Sequence, residues 1–145
     1  MDDKDRYQRL IALLDGDKGK KHDAVIAKIA RDYAKSRLHE TNLTAEAYAR
    51  RNDGEHWSDL FEEYEPRWCR ADVRQTELAK QAASTQATTL RGVTYKLIIW
   101  RWEAVAQSGD VGFDARHDLF AFGAYLDLLR LAELNELAHQ NDGAA

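Results

Sequence analysis

The stretch ATTLRGVTYKLIIWRWEAVAQ, residues 87–107, decides how this chain folds. It opens with Thr88 and Thr89, either of which suits a helix N-cap because a hydroxyl there accepts an orphan backbone N–H. At about 100° per residue, the helix that follows divides into two apolar arcs. One holds Leu90, Val93, Leu97, Trp100 and Ala104; the other holds Tyr95, Ile98, Ile99, Trp102, Val105 and Ala106. Lys96, Glu103 and Gln107 form the one clean polar strip. Trp100 and Trp102 point to opposite sides, so they cannot clamp one ligand between them. A helix that is apolar on two sides needs two partners.

The next segment repeats the problem. SGDVGF closes the helix of about 89–107, and Asp114 is placed to cap a last helix of about 115–138. Leu119, Phe122, Leu126, Leu129 and Leu137 make one arc of it; Phe120, Ala121, Ala124, Tyr125, Leu128, Leu131 and Ala132 make another. The two helices are expected to form a central antiparallel hairpin. Either other helices of the chain cover both faces, or one pair of faces meets another chain, since large exposed apolar patches are unusual on monomers. In the second case Tyr95, Ile99, Trp102, Phe120, Tyr125 and Leu128 are the interface residues expected, in a homodimer or against another protein. Gly92 and Gly123, inside helices where glycine costs about 1 kcal/mol relative to alanine, point to close helix–helix approach.

Outward from this hairpin, Tyr7, Leu10, Ile11 and Leu14 recur at one-face spacing and predict a helix over about 3–14. DGDKGKK ends it with two glycines among charges. Val25, Ile26, Ile29 and Tyr33 predict a second helix from about His22 to Glu40, with Lys21, Lys28, Arg31 and Lys35 on its opposite, basic face. TNLT interrupts, Thr44 then caps a short helix from Ala45 to Arg51, and NDG closes it. A long pattern from Trp57 to about Ala83 carries Pro66, where a kink is expected because proline removes a ladder hydrogen bond. Residues 139–145, HQNDGAA, read as a frayed tail. No segment alternates like a strand, so the expectation is an all-α, single-domain bundle of about five helices spanning 1–145.

Composition supports a folded chain: 145 residues with 44% apolar and 32% charged side chains suffice for one core without staples. One proline and eight glycines leave the little punctuation that long helices require. The single cysteine, Cys69, excludes an internal disulfide. The first residues, Asp2, Asp3, Lys4, Asp5 and Arg6, lack the layout of a signal peptide, and no apolar run approaches the ~18 residues of a membrane span, so a cytoplasmic protein is expected. The net charge of −4 hides polarity: residues 17–39 sum to +4 and 81–102 to +3, against −4 over 40–80 and −6 over 103–145.

Chemistry-bearing patterns are sparse. Glu136 and His139 have the E-x-x-H spacing of di-iron bundles, but a second such pair and two further glutamates on facing helices are missing, so no metal site is expected. His117 and Asp118 are adjacent and do not face each other on a helix. Cys69 has no activating base beside it, and DGDKGKK lacks the spacing of a phosphate loop. No catalytic residue and no cofactor is assigned. The basic face of Lys21, Lys28, Arg31 and Lys35, extended by Lys18 and Lys20, is the best binding candidate, suited to nucleic-acid phosphates or an acidic protein. Glu62, Glu63 and Glu65, clustered just before the expected kink, and the acidic carboxyl half suit the converse role, mimicry of nucleic-acid charge.

The segments QAASTQATTLRGVTYKL and FGAYLDLLRLAEL resemble a loose group of small uncharacterised helical proteins from alphaproteobacteria and their prophages. The matching positions are Ala87, Thr88, Thr89, Leu90, Gly92 and Lys96, then Asp127, Leu128 and Leu131, within roughly residues 70–135. The chain departs from that group in its tryptophan content and its long amino-terminal part. The resemblance implies a helical hairpin and a phage or mobile-element origin; it brings no activity, and no functional residue is carried over. The functional expectation is a non-enzymatic helical protein-interaction module, acting on a protein partner such as a host nucleic-acid machine. A nucleic-acid-associated protein using the basic face at about 18–35 is the alternative.

Overall fold

The computed structural model describes the backbone of residues 3–108 and 115–143, and side chains for residues 4–103, 121 and 124–142. Five helices follow in order: α1 (Asp3–Gly16), α2 (Ala24–Asn52), α3 (Trp57–Ser84), α4 (Leu90–Ser108) and α5 (Ala115–Gly143). The fold is an all-α bundle, without strands among the described residues. The cap expected at Asp114 lies outside them.

Two predicted boundaries move. TNLT does not break the second helix: α2 runs unbroken for 29 residues, about 43 Å at 1.5 Å per residue. Thr44 is not a cap but a helix-interior residue whose hydroxyl donates back to the Glu40 carbonyl at 3.0 Å. Tertiary packing overrides the weak local propensity, because Leu43 and Ala47 are buried against Leu60 and Tyr64 of α3. The last helix, expected to fray from residue 139, continues to Gly143. Pro66 lies within α3, and Leu60, Tyr64, Ala71, Gln75, Leu78 and Ala82 keep one buried face across it.

Asp53 and Gly54 turn α2 back into α3, with Gly54 at φ +101°, a conformation that suits glycine. The pair is antiparallel: Gln75 Nε2 donates to Glu40 at 2.8 Å near one end, and Arg50 reaches Glu63 at 2.8 Å near the other. α2 forms the centre of the bundle, touching α1, α3 and α4, while α5 lies on α4. The C-terminal pair is antiparallel, as Arg91 near the start of α4 meets Glu136 near the end of α5; α4 packs centrally, on α2 and α3, whereas α5 lies on α4. The main core joins Leu10 and Leu14 of α1, Ile26, Ala30 and Tyr33 of α2, Leu78 of α3, Tyr95, Ile98 and Trp102 of α4, and Tyr125 and Leu129 of α5. A second, smaller cluster lies beyond it, in the distal half of the α2–α3 hairpin, around Leu43, Ala47, Leu60 and Tyr64.

Candidate interaction surface

Which arc of α4 faces inward is decided by polar bonds at both of its ends. At its start the loop of residues 17–23 wraps over the helix. Thr89 is the N-cap, its hydroxyl accepting from the Gly92 N–H at 3.1 Å. Asp23, in the left-handed region at φ +63°, accepts from the backbone N–H of Thr88 and of Thr89 at 3.1 and 2.9 Å, and from both threonine hydroxyls at 2.7 and 2.6 Å. Burial raises the Asp23 pKa, but these hydrogen bonds outweigh it and hold the carboxyl below its ordinary value. Gly92 is the residue that admits this carboxylate: a Cβ there would overlap Asp23. The close approach expected at Gly92 is thus real, but made by a loop side chain rather than a helix. Gly123 has no described side-chain surroundings.

In the same first turn, the Arg91 side chain is only 3% exposed and is shared by two carboxylates. It bonds Asp17 and, through Nε and Nη2, both oxygens of Glu136 at 2.9 and 3.2 Å. Burial opposes the charge on Arg91, but the hydrogen bonds it donates to Glu136 and Asp17 raise its pKa above the ordinary arginine value. The Tyr95 hydroxyl also bonds Asp17, and His22 Nε2 lies 3.8 Å from Glu136. Toward the other end, the Tyr33 hydroxyl donates to Glu103 at 2.7 Å while Arg37 donates to both, at 2.8 and 3.2 Å. Burial above all pushes both phenol pKa values above the ordinary range; the acidic partner adds to it and the neighbouring arginine opposes it.

Bolted this way, α4 turns Tyr95, Ile98, Ile99 and Trp102 into the core. Its other arc, Leu90, Val93, Leu97 and Trp100, is left outside, with Trp100 66% exposed. This reverses the interface expected from the sequence. Tyr95, Ile99, Trp102 and Tyr125 are buried within their own chain, and Leu128 is half-buried. The four buried ones are core residues, in one cluster with Leu10 and Leu14 of α1 and Ile26, Ala30 and Tyr33 of α2, and the Tyr7 ring lies 5.2 Å from Trp102. The Phe120 side chain lies outside the described residues. On α5 the exposed apolar residues are Leu126, Leu131, Leu134 and Leu137.

The basic face is also rearranged. α2 begins at Ala24, so Lys21 belongs to the preceding loop rather than to the helix. Lys28 is paired with Asp32 at 2.7 Å, Arg31 bonds Asp15, and Lys35 is exposed. Lys20, Lys21, Lys28 and Arg31 do converge, with Asp15, Leu14, Ala24 and Ala27, on one cleft of about 650 Å³. A second cavity, about 610 Å³, separates the 16–22 loop from α5 and has Arg91, Asp17 and Glu136 on its wall. Among the described residues no group of three or more His, Cys, Asp or Glu side chains is placed to hold a metal ion. Nor is any described helix long and apolar enough to cross a membrane.

No protein-family model matches the sequence, and no curated protein or solved structure matches it either. The functional reading rests on the chain's own geometry.

The Asp23 clamp has a measurable signature. Its folded pKa lies below the unfolded value, so its stabilisation is complete above about pH 4 and is lost as pH falls through the folded value. Asp23→Asn keeps the tolerance for a left-handed backbone but removes the titration. We expect its melting temperature to fall less between pH 5 and 2.5 than that of the parent chain. Parallel curves would show that Asp23 does not contribute to the acid limb.

Proposed function

We propose that the chain is a non-enzymatic helical interaction module that presents the outer stripe of α4 to a protein partner. The observation that carries this reading is the run Leu90, Val93, Leu97, Trp100, exposed on a helix whose rotation is fixed at both ends. Steps of three, four and three residues make the seam into which side chains of a second helix interdigitate. An amphipathic helix is therefore the element such a stripe fits. Its tryptophan, the most exposed residue of the run, is of the type enriched at binding hot spots.

The test is a photo-crosslinking amino acid at Leu97, in the host cell, beside the same probe at exposed Thr76 on α3. A discrete adduct from position 97, absent from position 76 and lost on Trp100→Asp, supports the reading. Equal smears from both positions, or none, would overturn it. Trp100→Asp should itself change stability by no more than about 0.5 kcal/mol, as expected for an exposed site, which thermal melting checks. Light scattering on the parent chain and this variant shows whether the partner is a second copy.

A second reading, contact with nucleic-acid phosphates, is favoured by the convergence of Lys20, Lys21, Lys28 and Arg31 on one cleft. It requires a salt-dependent mobility shift that disappears on replacing Lys21, Lys28 and Arg31 by glutamate. A shift that survives those changes would sink it.

A further inference from the structure

The distal end of the α2–α3 hairpin carries an aromatic group whose Trp57 and Trp68 pack on the smaller core cluster while its other rings reach the surface. Tyr48 stacks on Trp57 with centroids 5.3 Å apart, and Trp57 adjoins Phe61 at 6.5 Å and Trp68 at 6.3 Å. Phe61 and Trp68 are 6.0 Å apart, closing the group. It is not sealed: Tyr48 is 48% and Phe61 44% exposed. Two helices alone cannot cover a cluster of this size on all sides, and among the described residues α1 brings Lys4 and Tyr7 to the cleft beside Tyr48.

Arg51 lies over the Trp57 ring at 5.5 Å and Arg67 over Tyr64 at 5.1 Å, but the ridge of α3 that carries Phe61 and Trp68 is acidic. Phe61, Glu65, Trp68 and Asp72 follow one another at steps of four, three and four residues, so rings and carboxylates share one ridge. Glu62 lies on the ridge next to it, three residues before Glu65. Glu62, Glu65 and Asp72 are all exposed. Neighbouring carboxylates are spent differently: Glu55 and Glu63 are both taken by Arg50, at 2.7 and 2.8 Å. The whole segment 40–80 carries −4. An apolar floor with an anionic border selects by charge as well as by burial, since an opposite-signed border steers encounter and a like-signed one repels.

We propose that this aromatic patch is a docking site for a basic amphipathic helix of a partner protein. The helix lays its apolar side on Tyr48, Trp57 and Phe61 and sets lysines or arginines against Glu62, Glu65 and Asp72. The site is separate from the outer stripe of α4 and stands or falls independently of it.

The chain's single cysteine, Cys69, is exposed and four residues from Glu65, which makes it a reporter position for the patch. With a polarity-sensitive fluorophore on Cys69, the chain is titrated with an 18-residue amphipathic helix of leucine and lysine, and with its leucine–glutamate counterpart. We expect saturable binding of the lysine peptide with a blue shift, and none of the glutamate peptide. Affinity should fall at least tenfold in the variant E62Q/E65Q/D72N and in Phe61→Ser. It should stay within twofold in D127N/E133Q/D142N, which changes net charge equally on α5. Equal losses in the two triple variants, or binding of both peptides, would overturn the proposal. So would a dimer in light scattering that Phe61→Ser dissolves, because the occupant would then be a second copy. All substituted side chains are exposed, and an unchanged melting curve confirms that the variants fold.

Discussion

Replacing Arg91 by methionine is expected to cost about 3–5 kcal/mol of stability, the penalty for leaving buried charges without their counter-ion. The reason is where its partners sit. Asp17 and Glu136 side chains are 6% and 14% exposed, so neither regains full hydration when the guanidinium is gone. For a chain of this length the loss corresponds to a fall in melting temperature of roughly 10 °C or more. Adding D17N/E136Q to Arg91→Met should recover most of the loss at pH 7, because no charge then remains buried. A triple variant no better than the single would mean that Arg91 acts by packing alone.

The second large effect is a change of sign at Gly92. Alanine at a helix interior position normally stabilises by about 1 kcal/mol over glycine. Here the added methyl would overlap the Asp23 carboxylate, which four donors from Thr88 and Thr89 hold in place. Either the clamp opens or the loop shifts, and Gly92→Ala should destabilise by about 2–3 kcal/mol, within the usual range for overpacking plus a lost cap. In an Asp23→Gly background the obstacle is absent and the left-handed backbone is relaxed. There the same Gly92→Ala change should stabilise, by up to about 1 kcal/mol. A thermal or urea double-mutant cycle measures this coupling; additive effects would show that the loop yields freely and that the contact is not a constraint.

Helices were legible because their signals are local. The repeat of Tyr7, Leu10 and Leu14, the punctuation of DGDKGKK and the threonine cap at Thr89 each depend on neighbours within a turn or two. The TNLT segment misled for the complementary reason: local propensity is weak there, and only the burial of Leu43 and Ala47 against α3 keeps the helix whole. The Arg91 cluster could not be found by spacing, since it joins residues 17, 91 and 136, on three different elements. Its one trace in the sequence is an arginine on the turn between the helix cap and Tyr95, with a glycine beside it.

The sequence by itself determined that α4 is a helix with two apolar arcs, because side-chain type and a 3.6-residue period are sufficient for that statement. It could not say which arc is the core. Both are rich in large apolar side chains, so transfer from water favours burying either one, and the hydrophobic effect has no direction of its own. Directional bonds made the choice. Asp23 on the α4 N-terminus, Asp17 and Glu136 on Arg91, and Tyr33 with Arg37 on Glu103 can all be satisfied in only one rotation of the helix. That rotation buries Trp102 and leaves Trp100 outside.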